Sequence, residues 1–271
     1  MNRDVWLAKH PHLRPVADFQ AQVATALASV ATVRATIPSW DNYFREYEKG
    51  VPLLGSASVA IDLQPAERIL VLLFEKLNSL PLPEPLSREN RELSAQMNHQ
   101  LGTTQRALGW LLGNDDFEPA RPGLLRYLGW TALSQYLGPL VAAFGEWRDE
   151  DRWLRCYCPT CGSAPSMSQL VQADSGRRRL LSCGCCRTRW HFSRMGCPFC
   201  GTEGGHRLAV LAIEGEGNLR IDYCESCRAF LKTYLGEGRE SLFLADWTSL
   251  YLDLIALDHG LKRCATSLYE L

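Results

Sequence analysis

No cysteine precedes Cys156, although the chain of 271 residues has 11 of them. Thiol chemistry therefore belongs to the carboxy-terminal half alone. Charge of one sign is also missing: 29 basic residues face 30 acidic ones, for a net −1, so no overall field draws the chain to nucleic acid or to an anionic membrane. No apolar run approaches the roughly 20 residues needed to cross a bilayer. Even Ile69 to Phe74 is followed at once by Glu75 and Lys76. The amino terminus lacks the basic start, apolar core and small-residue cleavage site of a secretory leader. A soluble chain kept in the reducing cytoplasm is the expectation, and structural disulfides are not. There is no glycine-rich phosphate loop and no Gly-x-Ser-x-Gly turn, so an enzyme in the ordinary sense is not expected either. Apolar residues make up 46%, which is ample for a core.

What is present is concentrated between Cys158 and Cys227. Four Cys-x-x-Cys pairs lie there: Cys158/Cys161, Cys183/Cys186, Cys197/Cys200 and Cys224/Cys227. Two residues between cysteines let both sulfurs of a tight turn face one tetrahedral cation, and two such turns complete a four-sulfur shell. Eight cysteines predict two metal ions. The pairing follows from a repeat: Cys158-Pro-Thr-Cys-Gly162 recurs as Cys197-Pro-Phe-Cys-Gly201, and each copy leads to a second pair that runs into Arg187 or Arg228. The period is about 40 residues, the size of one small module. Alignment of the copies selects Cys186 over Cys185. Pairing first with second and third with fourth closes the smaller loops and costs less chain entropy. Gly162 and Gly201 fit positions of positive φ beside the sulfurs. Zinc and iron both suit four thiolates, so the metal stays open.

Thioredoxin-like redox pairs are disfavoured because no βαβ pattern surrounds any of the four. Cys156, Cys185 and Cys264 fall outside the ligand count and read as small buried residues. His191 and His206 lie near the pairs, but the eight cysteines already fill both shells. His10, His12 and His99 are isolated. Arg177, Arg178 and Arg179, with Arg187, Arg189 and Arg194, make this half locally basic. That leaves a nucleic-acid-binding ribbon as a rival to a protein-interaction module. Asp253 and Asp258 are too far apart on a helix to act as an acid/base pair.

The run Cys158-Pro-Thr-Cys-Gly-Ser-Ala-Pro165, the Cys-x-x-Cys-Arg elements, Gly196-Cys-Pro-Phe-Cys-Gly201 and the tail Leu250-Tyr-Leu-Asp253 resemble the FdhE family of formate dehydrogenase accessory proteins. The resemblance implies a cytoplasmic factor that is not itself a dehydrogenase. It implies a partner, the catalytic subunit of an exported molybdenum- or tungsten-dependent formate dehydrogenase. It also implies rubredoxin-type sites, which favours iron over zinc.

The remaining elements follow from periodicity. Phe19, Val23, Leu27, Val30 and Val33 predict a helix from Val16 to Ile37, stopped by Pro38. A short aromatic helix through Trp40, Tyr43, Phe44 and Tyr47 ends at Gly50, and Pro52 to Leu63 reads as loop. Further helices are expected over Gln64–Asn78, Ser87–Leu112 and Pro122–Arg148, the last kinked at Gly129, Gly138 or Pro139. Strands are expected at 169–173, 179–182 and 188–192, with a turn at Asp174-Ser175-Gly176, and again at 206–213, 218–223 and 229–234. Asp246 caps a last helix whose apolar face carries Trp247, Leu250, Leu254, Leu257 and Leu261, with Asp253 and Asp258 on its polar side. The class is α+β: a bundle-like helical domain (1–150), two tandem rubredoxin- or zinc-ribbon-like β modules (151–194 and 195–235), and a carboxy-terminal strand and helix (236–271) that pack on the preceding domains.

Overall fold

The computed structural model describes residues 3–30, 35–99, 102–174, 176–237 and 241–265. The described chain forms two compact units. One takes residues within Met1–Ile37 and Ile61–Ala142, the other those within Pro38–Ala60 and Ala143–Ser267. Helices are α1 (Arg3–Lys9), α2 (Arg14–Ala28), α3 (Phe44–Lys49), α4 (Gln64–Asn78), α5 (Glu84–Asn98), α6 (Thr103–Leu111) and α7 (Pro122–Trp147).

The first unit is helical. Helix α4 shows why: Ile69, Leu70, Leu73, Phe74 and Leu77 recur at three- and four-residue steps and all are buried. Each such side chain contributes about 1.5–3 kcal/mol on leaving water. Helix α4 packs against α5 and α6, in which Leu93, Met97 and Leu108 are also buried. The buried Asn90 amide of α5 donates to Phe74 O at 3.1 Å and to Asn78 Oδ1 at 2.7 Å, which fixes the pairing of α4 with α5.

The helix expected over Pro122–Arg148 is present, and two other helical expectations change. Helix α2 ends at Ala28, and residues 35–37 carry no regular structure. Val33 of the expected series lies outside the described residues. The single helix expected over Ser87–Leu112 is two, because Gly102 adopts φ +84° ahead of α6, a conformation no helix continues through. Helix α5 also starts before Ser87, with Pro85 in its first turn, where the missing N–H has no partner to lose. Helix α7 runs through Pro139 without interruption.

The second unit holds the sheet: β1 (Pro165–Ala173), β2 (Gly176–Cys183), β3 (Arg189–Phe192), β4 (Leu208–Ala212), β5 (Leu219–Cys224), β6 (Ala229–Tyr234) and β7 (Lys262–Arg263). Each module supplies an antiparallel three-stranded ribbon, and the two join into one sheet of order β3-β2-β1-β6-β5-β4. The seam is a short parallel pairing, Ser168 opposite Thr233 and Gln169 opposite Tyr234. Strand β7 pairs with the start of β6. Of the expected turn trio, Ser175 lies outside the described residues.

Pro38–Ala60 packs in this unit through aromatic rings. Tyr47 stacks on Trp153 at 5.1 Å, and Trp40 stacks on Trp147 at 5.5 Å. The Tyr47 hydroxyl donates to Asp149 O at 2.7 Å, and that of Tyr43 to Val51 O at 2.7 Å.

The tail consists of a helical turn α8 (Ser241–Leu244), a 3-10 turn at Asp246–Ser249 and α9 (Leu250–Asp258). Asp246 does not cap a helix. Its carboxylate lies 2.7 Å from Lys232 Nζ and 2.7 Å from Arg263 Nη2. Asp253, expected on a polar face, is buried; it lies 2.6 Å from Lys232 Nζ and pairs with Arg263 as well. This ion cluster turns α9 so that Leu250, Leu252, Asp253 and Ala256 face inward. Leu254 and Leu257, expected in the core, are 56% and 45% exposed.

Candidate metal centres

All eleven cysteines are free thiols. Eight gather as two groups, Cys158, Cys161, Cys183 and Cys186, then Cys197, Cys200, Cys224 and Cys227. Within each group the sulfurs lie inside 4.8 Å of one another. Cys158 and Cys186 are 3.4 Å apart, Cys161 and Cys183 3.4 Å, Cys197 and Cys227 3.7 Å, and Cys200 and Cys224 3.8 Å. A disulfide needs about 2.05 Å. A tetrahedron of sulfurs about 2.3 Å from a central ion has edges of about 3.8 Å. These groups fit an ion and are not bonded pairs. The grouping is the sequential one that the repeat predicts.

The backbone explains how each turn presents its two sulfurs. Gly162 N–H donates to Cys158 O at 2.9 Å, and Gly201 N–H to Cys197 O at 3.1 Å. The φ angles there are +78° and +69°. The second pair of each module does the same with a non-glycine residue: Arg187 and Arg228 have φ of +63° and +62° and are the non-glycine residues of positive φ among those described. Sequence reasoning anticipated the glycines and missed the arginines, although their matched position after Cys186 and Cys227 was the available signal.

A strap from far upstream closes the first site. Leu53 N–H donates to Pro159 O at 2.9 Å, and Leu54 N–H to Thr160 O at 2.8 Å. Beneath them Thr160 and Thr188 share a buried hydroxyl contact of 2.7 Å, and the Thr188 hydroxyl lies 3.1 Å from Cys186 Sγ. The first group is buried throughout, whereas in the second Cys200 is exposed and Cys227 half-buried.

Among the thiols themselves one acid stands out in each site. Hydrogen bonding from Cys158, then from its other neighbours, pulls Cys161 well down, while burial pushes Cys158 up. In the second site the Thr202 hydroxyl, 3.1 Å away, and the Thr202 backbone lower Cys200 to about 6. Burial raises Cys197, and raises Cys227 to about 12. The second cysteine of each leading pair thus forms the first thiolate, an anchor for an incoming cation. An ion held by all four sulfurs is coordinatively closed and fits structural or one-electron chemistry.

The remaining candidates stand apart. Cys185 is buried, as expected, and hydrogen bonding to Cys161 raises its thiol. Cys156 and Cys264, expected to be buried, are exposed. His191 lies 3.4 Å from Asp151, His206 and His99 are exposed, and the His10 ring lies tilted against Trp6 at 4.1 Å. None of them joins a metal-capable group among the described residues. The basic set is divided, because Arg177, Arg178, Arg187 and Arg194 are exposed while Arg179 points inward and is 4% exposed. No helix among the described residues is long and apolar enough to cross a membrane.

Residues 157–194 match the family model described as FdhE, central domain. A protein FdhE homolog of Pseudomonas aeruginosa is 33% identical over 172 residues, which cover 60% of this chain and 54% of that one. One from Aquifex aeolicus is 30% identical over 133 residues, 47% of each chain. The protein FdhE of Salmonella paratyphi A is 33% identical over 139 residues, 49% of this chain and 44% of that one. The chain spans about half the length of these curated relatives. The crystal structure of the FdhE protein from Pseudomonas aeruginosa superposes with a TM-score of 0.63 over 95% of this chain and 88% of that one, at 23% identity. It has the same fold.

Proposed function

We propose, from the premise that this chain is a relative of the FdhE proteins, that it is a maturation factor for an exported molybdenum- or tungsten-dependent formate dehydrogenase. It binds the catalytic subunit in the cytoplasm and has no dehydrogenase chemistry of its own. The observation that carries the reading is the pair of tetracysteine groups, one in each ribbon of a single continuous sheet. Cys158, Cys161, Cys183 and Cys186 hold one ion within module 151–194, and Cys197, Cys200, Cys224 and Cys227 hold the other within module 195–235. The fused ribbons then form a rigid platform for a client.

The two sites favour different duties. Burial of the first suits a structural ion. Exposure of Cys200 suits electron exchange at the second, which requires iron because zinc has no second accessible oxidation state. Four thiolates accept either metal.

The test is capture of the catalytic subunit on the immobilised, anaerobically purified full chain, with metal analysis and visible spectra of the same sample. Retention of that subunit, lost when either cysteine group is replaced by serine, is the expected result. Failure of the intact, metal-loaded chain to retain it would remove this reading. A metal-loaded chain that contains zinc and no iron would leave a purely structural double zinc ribbon.

A further inference from the structure

Beside the second cysteine group lies a cavity of about 240 Å³. It is lined by Cys197 and Cys224, by Arg179, Arg194 and Arg220, and by Asp222, the one acid among its walls. The rest of the lining is apolar but for Tyr223. Asp222 is already engaged: one oxygen lies 2.7 Å from Arg220 Nε and the other accepts from Thr233 at 2.8 Å. Two guanidiniums remain. Arg179 gives Nη1 to Gly196 O at 3.0 Å, and its buried Nε has no hydrogen-bond partner. Arg194 is exposed and forms no ion pair among the described residues.

A guanidinium 4% exposed, with a nitrogen lacking an acceptor, carries an uncompensated desolvation cost. An anion in the cavity would supply what is missing. Its chemistry is restricted. Planar guanidiniums match the two oxygens of a carboxylate, the apolar walls suit a short aliphatic body behind it, and the volume falls below the roughly 300 Å³ at which drug-sized ligand sites begin.

We infer that this cavity is a carboxylate-binding site, filled either by a small free carboxylate or by an acidic side chain presented by another protein. The inference does not depend on which client the chain serves. Val210 of the lining is 49% exposed, so the cavity wall reaches the surface.

The test uses the zinc-loaded full chain and follows arginine Nε–H resonances by NMR during titration with acetate, with a blocked Gly-Glu-Gly tripeptide, and with its Gly-Gln-Gly counterpart. Saturable shifts with acetate or with the Glu peptide, none with the Gln peptide, and at least about tenfold weaker binding in Arg179→Met and Arg194→Met are expected. Acetate binding assigns a free carboxylate; binding of the Glu peptide alone assigns a protein side chain. If Arg179→Met does not fold, Arg194→Met, a change at an exposed residue, carries the test. Absence of saturable binding by either carboxylate, or affinity unchanged in the arginine variants, overturns the inference.

Discussion

The hydroxyl of Ser168 on β1 lies 2.6 Å from that of Thr233 on β6, and this contact joins the two cysteine modules. Thr233 also donates to Asp222 at 2.8 Å, so one side chain serves the seam and the wall of the arginine cavity. Thr233→Val removes a partner from both. It is expected to lower stability by about 1–3 kcal/mol, read from the urea midpoint. A shift below about 0.5 kcal/mol, the size of an ordinary surface change, would mean that the seam is held by backbone alone.

Metal content should divide by site. Cys158→Ser is expected to lose one ion and unfold the first module, because its sulfur is buried against Cys186. Cys200→Ser should lose the other ion while leaving the first in place. Metal per chain, measured by mass spectrometry, checks both, and full loading in either variant contradicts the assignment.

The arginines of positive φ carry a backbone cost that glycine would not. A non-glycine residue there costs roughly 1–2 kcal/mol. Arg187→Gly is therefore expected to raise the stability of the loaded protein by up to about 1 kcal/mol. Arg228→Gly should gain less, because Arg228 also donates to His259 O at 2.8 Å and lies over the Tyr223 ring. Thermal melts of the two variants separate the contributions.

Acidity at the second site predicts a reactivity order. With its thiol lowered to about 6 by Thr202, Cys200 in chelator-treated protein is a thiolate at pH 7, whereas Cys227, raised to about 12 by burial, is not. Alkylation at Cys200 should be fast, level above pH 7 and falling as pH drops through about 6. Thr202→Val moves that midpoint upward. Folding follows the same sign: a depressed thiol pKa stabilises above the unfolded value near 8.5, and that contribution is lost as pH falls through the folded value.

The buried cluster of Lys232, Asp246, Asp253 and Arg263 should be sensitive to losing one member. Lys232→Met leaves two carboxylates facing Arg263 alone, with an expected loss of about 3–5 kcal/mol. Proteolysis of the tail in the variant would show where the loss falls.

Much of this was legible in the sequence, and the reason is local. Cys-x-x-Cys spacing, the duplicated Cys-Pro-x-Cys-Gly unit and the choice of Cys186 over Cys185 are short-range facts, and the sulfurs group as they predict. Strand β6 at Ala229–Tyr234 lies where the repeat of the first module placed it. What escaped is non-local. Lys232 reads as a solvated residue in a strand until Asp246 and Asp253 are brought against it. Leu254 and Leu257 satisfied the helical period, yet burial of a charged neighbour decided which face turned inward. The parallel seam between β1 and β6 leaves no mark in either ribbon alone.

The strap at Leu53 and Leu54 has a consequence for the order of synthesis. Its contacts, like the hydrogen bond from Tyr157 to Gly50 across 107 positions, reach back to chain that has left the ribosome before Cys158 is made. The strap is thus synthesised before the sulfurs that it covers. A fragment cut just ahead of the knuckles would keep all eight thiols but leave the carbonyls of Pro159 and Thr160 without their donors.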